Sequence, residues 1–421
     1  MLSIIFFFSL TESKANTLLD SLNSAYKNNP ILNAERANMR ATIEEKREAA
    51  SEFLPSITIS GYRSEQDNTK GSSRDSNFEP TEKSLIVEQK IFQGGAVVAN
   101  YKKKKYGQKL GELKLKKIEQ QILLEAVAAH TELLLNKKKV SINLTNIDLL
   151  ERQVETDQNR LEKGEISLTD LAQSESSLAG GTAKLISAQN DLVTSKLNFE
   201  KVIGKKAPEN TKEIKEINLN LPKSLATSYN ISNSENPNLQ ISLLEYEQAK
   251  LDIIIAASEL SPSATLSYKV AEQENMSATI TERTQQTMTA TATWPLFAGG
   301  SNLFNLRKVQ EIKKQKELLL QDSKKSTETE VANAWSSYKS SKSLLDSVKS
   351  QVKTAEIANE GITLEYESGK NRTTLEVIQS RTILLNSRID LAAAEKNFLL
   401  SQFKLLSSVG RLTANQLDLI K

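Results

Sequence analysis

Few side chains in this sequence are of the types that perform covalent or metal chemistry. The 421 residues include one histidine, His130, and no cysteine, which excludes disulfides and thiolate metal sites. No nucleophile motif occurs, and Gly369-Lys370 lacks the preceding glycine spacing of a phosphate-binding loop. We therefore expect His130 to be a packing or helix-surface residue, and we expect no catalytic residue, no metal ion and no cofactor.

The acids with the most informative spacing follow two glycines. Each glycine precedes a hydroxyl residue and then an acid three positions further: Gly164 with Ser167 and Asp170, and Gly369 with Thr373 and Glu376. This spacing fits the capping box, in which the hydroxyl caps a helix and the acid bonds back to the cap N–H. Each glycine thus predicts a bend between two helices, and each acid could simply start the second helix, for about 1 kcal/mol.

The two bends lie at equivalent places in an internal duplication. Landmarks recur in the same order at offsets of 205 to 207 residues. They are Asn29-Pro30 with Asn236-Pro237, Pro55 with Pro262, Gly94-Gly95 with Gly299-Gly300, Gly164 with Gly369, and Gly204 with Gly410. Such repetition predicts two copies of one structural unit. We place the first repeat at 16–204, a connector at 205–235, the second repeat at 236–411 and a C-terminal tail at 412–421.

The N-terminus has the character of an exported protein. Residues 1–15 combine a short apolar run with Ser13-Lys14-Ala15, which fits a secretory signal peptide that lacks the usual positive start. No later stretch has about twenty consecutive apolar residues, so we expect no transmembrane helix. The formal charge of +3 gives no electrostatic footprint for nucleic acid, and we expect no nucleic-acid partner.

Each repeat contains two segments with strand periodicity. We expect strands at about 54–63, 83–93, 262–272 and 285–297, with a polar loop from Ser64 to Glu82. Their strand–helix junctions are marked by Pro55, Gly94, Gly95, Pro262, Pro295, Gly299 and Gly300. Apolar and hydroxyl residues alternate over about ten positions, enough to cross a bilayer when tilted, although a half-buried strand in a soluble sheet has the same pattern. Four strands cannot close a barrel, so several chains would have to pool theirs.

The remaining segments predict long, laterally packed helices. Residues 96–162 contain no proline, and such a helix would be roughly 100 Å long at 1.5 Å per residue. The helices that follow the bends carry a large apolar residue at every seventh position, starting from Leu171 in the first repeat and from Val377 in the second. A small residue lies three positions after each large one, except that Val202 occupies the last such position of the first repeat. A seven-residue period favours a left-handed supercoil, and one large plus one small position suits a helix with neighbours on both sides, as in a cylinder wall.

Taken in order, these motifs resemble the TolC-like outer membrane efflux proteins. The resemblance rests on the duplicated helix-strand-strand-helix-bend-helix unit, the Asn-Pro helix starts, Leu296-Phe297-Ala298-Gly299-Gly300, and the second bend with Tyr366, Gly369 and Thr374-Leu375-Glu376-Val377. It covers nearly the whole chain after the N-terminal segment. The family implies a homotrimer with a twelve-stranded β-barrel in outer-membrane lipid, continued by an α-helical barrel through the periplasm. It also implies two partners, a periplasmic adaptor and an inner-membrane transporter.

The family also implies roles for residues at the bends. Its periplasmic tip is closed by bonds between helices and narrowed by acids. By resemblance, Asp170 would bond to Tyr366 and Arg372, while Glu376 would face the lumen. Three copies of Glu376 would form a carboxylate ring that favours cations. The capping-box interpretation of both acids stays open beside this one.

The second bend departs from the family pattern. It has one residue more than the first bend, so Asn371 and Arg372 compete for the role of the family's arginine. Gln379 stands where a second acid is often found, which implies less negative charge at any constriction.

We therefore predict a passive outer-membrane exit duct for efflux or type I secretion, opened by its partners. The alternative is a structural coiled-coil tether or adhesin of the cell envelope. The heptads alone would allow a tether, but a tether does not need amphipathic strand pairs at equal places in both repeats. Drugs, a polypeptide or a polysaccharide would all suit such a duct as cargo.

Overall fold

The computed structural model describes residues 17–70, 73–209, 219–277, 280–368 and 372–419. The predicted class is confirmed: the chain is mainly helical, with a small antiparallel sheet. Its helices are α1 Leu18–Asn28, α2 Pro30–Ser51, α3 Ala96–Glu162, α4 Leu168–Ile203, α5 Leu225–Glu235, α6 Pro237–Ser258, α7 Ser301–Glu367 and α8 Thr374–Ser408. Its strands are β1 Ser56–Arg63, β2 Gln66–Lys70, β3 Ser73–Phe78, β4 Thr81–Gln93, β5 Ser263–Ser277 and β6 Ile280–Thr293. Among the described residues, no helix is both long and apolar enough to cross a membrane.

The duplication is visible element by element. Helices α1 and α5 have 11 residues each, α2 and α6 have 22, and α3 and α7 have 67, while α4 has 36 and α8 has 35. The predicted connector therefore contains a helix, α5, which is the counterpart of α1. Its sequence is short and polar and shows no clear apolar period, but Ser224 caps it by accepting a hydrogen bond from the Thr227 N–H. The predicted signal peptide lies outside the described residues.

The chain divides into two compact units, of which the first is helical. Its described residues are 17–35, 115–209, 219–237, 325–368 and 372–419. Its main core joins α1, the middle of α3, and the ends of α4 and α8; its largest fully buried side chains include Leu22, Leu123, Phe199 and Phe403. The segment predicted as a mere tail belongs to this core, because Leu412, Ala414, Leu417 and Leu419 are all buried in it.

Equivalent asparagines fix equivalent helix ends in this unit. Asn29 and Asn236 lie between α1 and α2 and between α5 and α6. The Asn29 side-chain amide donates to the Val202 carbonyl at 3.1 Å, and that of Asn236 donates to the Ser408 carbonyl at 2.8 Å. Each bond ties the start of a proline-led helix to the end of the returning helix of the same repeat. The Asn-Pro motif thus has a structural role in both copies.

Most of the small residues of the heptads are buried on α4 and α8. On α4 the buried positions include Ser174, Gly181, Ala188 and Ser195, and on α8 they include Ser380, Ser387, Ala394, Ser401 and Ser408. A Cβ at Gly181 would stand 2.8 Å from Leu150 Cδ1 of α3, so glycine permits the close approach of these helices. Hydrogen bonds and ion pairs link α4 to α3, α3 to α8, and α8 to α7.

The second unit carries the sheet, and its described residues are 36–70, 73–114, 238–277 and 280–324. Four antiparallel strands pair in the order β1-β4-β5-β6. The expected polar loop contains the additional antiparallel pair β2 and β3, so that prediction was wrong. Residues 66–78 lack the apolar alternation by which strands are recognised, and only backbone pairing makes them strands.

Tight glycine turns lead from the sheet to the long helices. Gly94 and Gly95 precede α3, and Gly299 and Gly300 precede α7, with φ values between +57° and +87°. Residues with a Cβ rarely adopt these angles, so the paired glycines are needed for the turn itself. Pro295 lies just after β6, where the missing N–H costs no ladder hydrogen bond.

Candidate functional site

A buried carboxylate lies where four helices of the first unit meet. Asp157, near the end of α3, is fully buried and accepts three hydrogen bonds. The donors are Gln153 Nε2 at 3.0 Å, Ser174 Oγ at 2.5 Å and the Tyr366 hydroxyl at 2.8 Å. Tyr366 comes from α7, 209 positions away, so the first bend is bonded to the second through one carboxylate.

Tyr366 makes further contacts with residues of both bends. Its hydroxyl also lies 3.0 Å from Thr374 Oγ1, the first residue of α8, and its ring is buried beneath the Arg160 guanidinium, 4.6 Å from the ring centroid. Burial raises the pKa of the Tyr366 phenol above its usual value, so the hydroxyl keeps its proton. A protonated phenol can donate to Asp157. We refer to Gln153, Asp157, Ser174, Tyr366 and Thr374 as the Asp157 cluster.

The structure places Asp170 elsewhere. Its carboxylate accepts from the Ser167 N–H at 3.0 Å and the Ser167 hydroxyl at 2.7 Å, which completes a capping box at the start of α4. The Ser167 hydroxyl and N–H hold the pKa of Asp170 below its usual range. Within one chain, the expected bonds from Asp170 to Tyr366 and Arg372 are not formed. Asp157 takes the place of Asp170 as the partner of Tyr366.

The described part of the second bend is held by ion pairs. Arg372 donates to Glu365 at 2.7 Å and to Glu376 at 2.9 Å. Glu376 also forms a capping box with Thr373, and the Thr373 N–H, followed by Arg372, lowers its pKa. Gln379 is exposed. Gly369 and Asn371 lie outside the described residues; at the first bend, Gly164 has φ +75°.

Sequence reasoning missed Asp157, although a signal was present. The apolar stripe of α3 runs through Ile147, Leu150, Val154 and Leu161 at three- and four-residue spacing. Asp157 occupies the position between the last two, where an apolar residue is expected. An acid in a buried stripe needs hydrogen-bond donors, and such a position predicts a polar cluster.

The two faces of the sheet form the second part of the candidate site. Paired residues alternate between apolar and polar: Tyr268 faces Met288 and Leu266 faces Ala290, whereas Ser267 faces Thr289. Several large apolar side chains of this face are exposed, including Ile59 at 81% and Met288 at 70%. An exposed apolar face of this kind marks an interaction surface.

Across the described residues, no group of three or more histidine, aspartate or glutamate side chains could hold a metal ion. His130 is buried in the helical core, where its Nδ1 lies 2.8 Å from Ser21 Oγ.

The chain combines duplicated helical hairpins with an amphipathic sheet and polar bonds at the bends, and its class is that of the outer membrane efflux proteins. The chain belongs to the outer membrane efflux protein family, whose model matches residues 21–205 and 229–411. The predicted family and the predicted location, the cell outer membrane with extension into the periplasm, are thereby confirmed.

Individual relatives agree over nearly the full length. The chain is 24% identical to the outer membrane efflux protein BepC of Brucella suis biovar 1 over 414 residues, which are 96% of this chain and 88% of BepC. It is 22% identical to the outer membrane protein TolC of Escherichia coli over 433 residues, covering 100% of this chain and 86% of TolC. The Campylobacter jejuni CmeC outer membrane channel has the same fold, with a TM-score of 0.85, 15% identity, and coverage of 94% of this chain and 86% of CmeC.

Proposed function

We propose that three copies of this chain form a passive exit duct for efflux or type I secretion. The duct is opened by a periplasmic adaptor and an inner-membrane transporter, which supply the energy. The observation that carries the proposal is a sheet with one exposed apolar face and one polar face. It is supported by the Asp157 cluster, which bonds the two bends of the chain to each other.

The sheet supports insertion of strands into outer-membrane lipid. Apolar residues occupy one face of β5 from Ala264 to Val270, a band about 20 Å high at roughly 3.3 Å per residue. Such a height is close to the apolar band of about 25 Å on outer-membrane barrels. Lys83 and Glu272 lie on the same face just beyond the band, where charges can reach headgroups and water.

The strand edges support an assembly of several copies of the chain. Among the described strands, β1 and β6 are the outer members of the four-stranded sheet, so each has one edge without a β partner. A sheet of four strands cannot close on itself, whereas twelve can. Joining β6 of one copy to β1 of the next would pair both outer edges of the four-stranded sheet.

The helices point to the same assembly. On α4, Ile186 and Val193 are 61% and 56% exposed, seven residues apart, and face away from the buried Ala188. On α7, Ile357 and Leu364 are 63% and 59% exposed, again seven apart. Two different apolar stripes on opposite members of the α4-α3-α8-α7 series suit a head-to-tail contact that closes into a ring.

The bends support a closed resting state. The Tyr366–Asp157 bond holds α7 to α3, and Arg372 holds Glu365 to Glu376. Opening would require the α7–α8 hairpin to leave α3. In the trimer, we place Glu376 at the lumen as a ring of three carboxylates that favours cations, with Gln379 one turn further and Asp170 on the neighbouring hairpin.

The test is reconstitution of the purified protein in planar lipid bilayers. We expect discrete cation-preferring conductance steps, whereas a tether or adhesin would give none. The chain has no cysteine, so single cysteines can report the two faces. Thr289→Cys should react with a charged, membrane-impermeant thiol reagent in proteoliposomes, and its neighbour Ala290→Cys should not. Equal labelling of both would overturn the barrel.

A further inference from the structure

A second polar cluster lies on the polar face of the sheet, far along the strands from the helices. Glu82 of β4 is buried, with 8% of its surface exposed. Its carboxylate accepts from Lys269 Nζ at 2.5 Å and from Gln273 Nε2 at 2.7 Å, both on β5. Ser84 beside it is buried too, and its hydroxyl lies 2.9 Å from that of Ser60 on β1.

The register fixes the face on which these residues lie. Glu82 is directly opposite Gln273, and Lys269 pairs with Ile86 on one side and Thr287 on the other. Every second residue of a strand shares a face, so Glu82, Lys269 and Gln273 lie with the threonines of β6. The apolar band, including Tyr268 and Val270, is on the reverse face.

The position along the strands places the cluster near the outer mouth. The helices attach to the strand ends at Ser56, Gln93, Ser263 and Thr293, whereas Glu82 is the second residue of β4, close to the opposite end. In the proposed barrel, the helix-bearing ends face the periplasm. The Glu82–Lys269 pair therefore lies on the lumen side toward the cell exterior.

We infer that the Glu82–Lys269 pair sets the ion preference of the outer part of the lumen. This inference rests on the proposed barrel. A paired carboxylate and ammonium present little net charge to a passing ion, and removal of either partner leaves the other as a fixed charge. With three copies in the trimer, each single removal would create a ring of three like charges, the arrangement by which pores select ions.

The first experiment measures reversal potential in a salt gradient across planar bilayers. Glu82→Gln should lower the permeability of potassium relative to chloride, and Lys269→Gln should raise it, each by about twofold or more. The double variant should return close to the unmodified protein. A merely structural role would not give shifts of opposite sign that cancel.

The matched control is a charged pair on the reverse face. Lys83 and Glu272 are directly opposite each other, and both are exposed. Lys83→Gln and Glu272→Gln remove the same types of charge at nearly the same height, and should leave the reversal potential unchanged.

The rate of thiol modification at position 269 reports the charge near Glu82 directly, without a contribution from charges at the periplasmic tip. In Lys269→Cys, the charge of Glu82 is no longer balanced by an ammonium group, so a cationic methanethiosulfonate reagent should react faster than an anionic one. Adding Glu82→Gln should remove most of that preference. Conductance without a change in either the reversal potential or this rate ratio would overturn the inference alone, whereas absence of any conductance would overturn the proposed duct.

Discussion

At the scale of single residues, the link between the bends depends on one carboxylate with three donors. Asp157 is fully buried within the single chain, so the loss of any one donor leaves a buried carboxylate oxygen with an unsatisfied hydrogen bond. The half-buried acids Asp170 and Glu376 are different, since each is held by the start of its own helix. Removing the cluster should therefore affect the closed state more than removing the caps.

Tyr366→Phe is the smallest change that tests this link. It deletes the hydroxyl that donates to Asp157 and leaves the ring beneath Arg160 in place. A hydrogen bond to a charged group contributes about 1.5–3 kcal/mol, so we expect a shift toward the open state and a larger single-channel conductance. Tyr338→Phe, on the same helix, is the matched control and should conduct like the unmodified protein. Unchanged conductance in Tyr366→Phe would remove the Asp157 cluster from gating.

Glu376 allows a separate test of charge at the tip. Glu376→Lys inverts a carboxylate that would be present three times in the trimer, so the ion preference should move from cations toward anions. The measurement is again the reversal potential. Asp170→Lys, at the equivalent cap of the first bend, serves as the comparison. If Glu376 is only a helix cap, both variants should lose stability and neither should change selectivity.

His130 gives the helical core a pH dependence. Burial, followed by the charge of Lys137, lowers the pKa of His130 to about 4 from a usual value near 6.5, while Asp20 acts in the opposite direction. The native state therefore binds the proton less readily than the unfolded state, and stability falls as the pH decreases from about 6.5 toward 4. The loss amounts to about 3 kcal/mol by linkage. Thermal unfolding between pH 7 and pH 4 should show this slope, and His130→Gln should lack it; equal slopes would contradict the argument.

At the scale of elements, two adjacent glycines of α4 allow the effect of helix propensity on stability to be measured separately from the effect of helix packing. A Cβ at Gly180 meets nothing within 4 Å, whereas one at Gly181 would approach Leu150 Cδ1 to 2.8 Å. Gly180→Ala should therefore stabilise the protein by up to about 1 kcal/mol. Gly181→Ala should destabilise it by about 1–3 kcal/mol, because α3 and α4 must separate. Melting temperatures that move in the same direction would show that the small-residue stripe does not set the helix spacing.

The elements also show which features were accessible from the sequence. The repeats, the bends and the long helices were predictable because glycines, prolines and heptads mark them locally. Helix α5 and the strands β2 and β3 were not, because their residues are polar and lack a period that distinguishes them from loops. The pairing of Asp157 with Tyr366 was also missed, since it joins positions 209 residues apart that only the folded helices bring together.

At the scale of the whole molecule, the exposed apolar stripes of α4 and α7 must be buried by neighbouring copies if the helices are to form a closed barrel. The stripe on α4 and the stripe on α7 occupy different members of the helix series, so they cannot satisfy each other within a chain. Contact between α4 of one copy and α7 of the next would bury both. In the sheet, β1 and β6 are likewise the two outer members among the described strands, and a cyclic assembly of copies would pair them.

Charges on the exposed stripe of α4 should therefore prevent assembly. Replacing both Ile186 and Val193 by glutamate would place a carboxylate on each of two heptad positions that the proposed contact buries, and an unpaired buried charge is too costly to retain. We expect light scattering in detergent to report a monomer in place of a trimer. Ser187→Glu with Thr194→Glu adds the same charges at the next positions, which are exposed on another face of α4, and should remain trimeric. A trimer in the first variant would place the contact between copies on other helices, while loss of the trimer in both would mean that charge on α4, and not its apolar stripe, controls assembly.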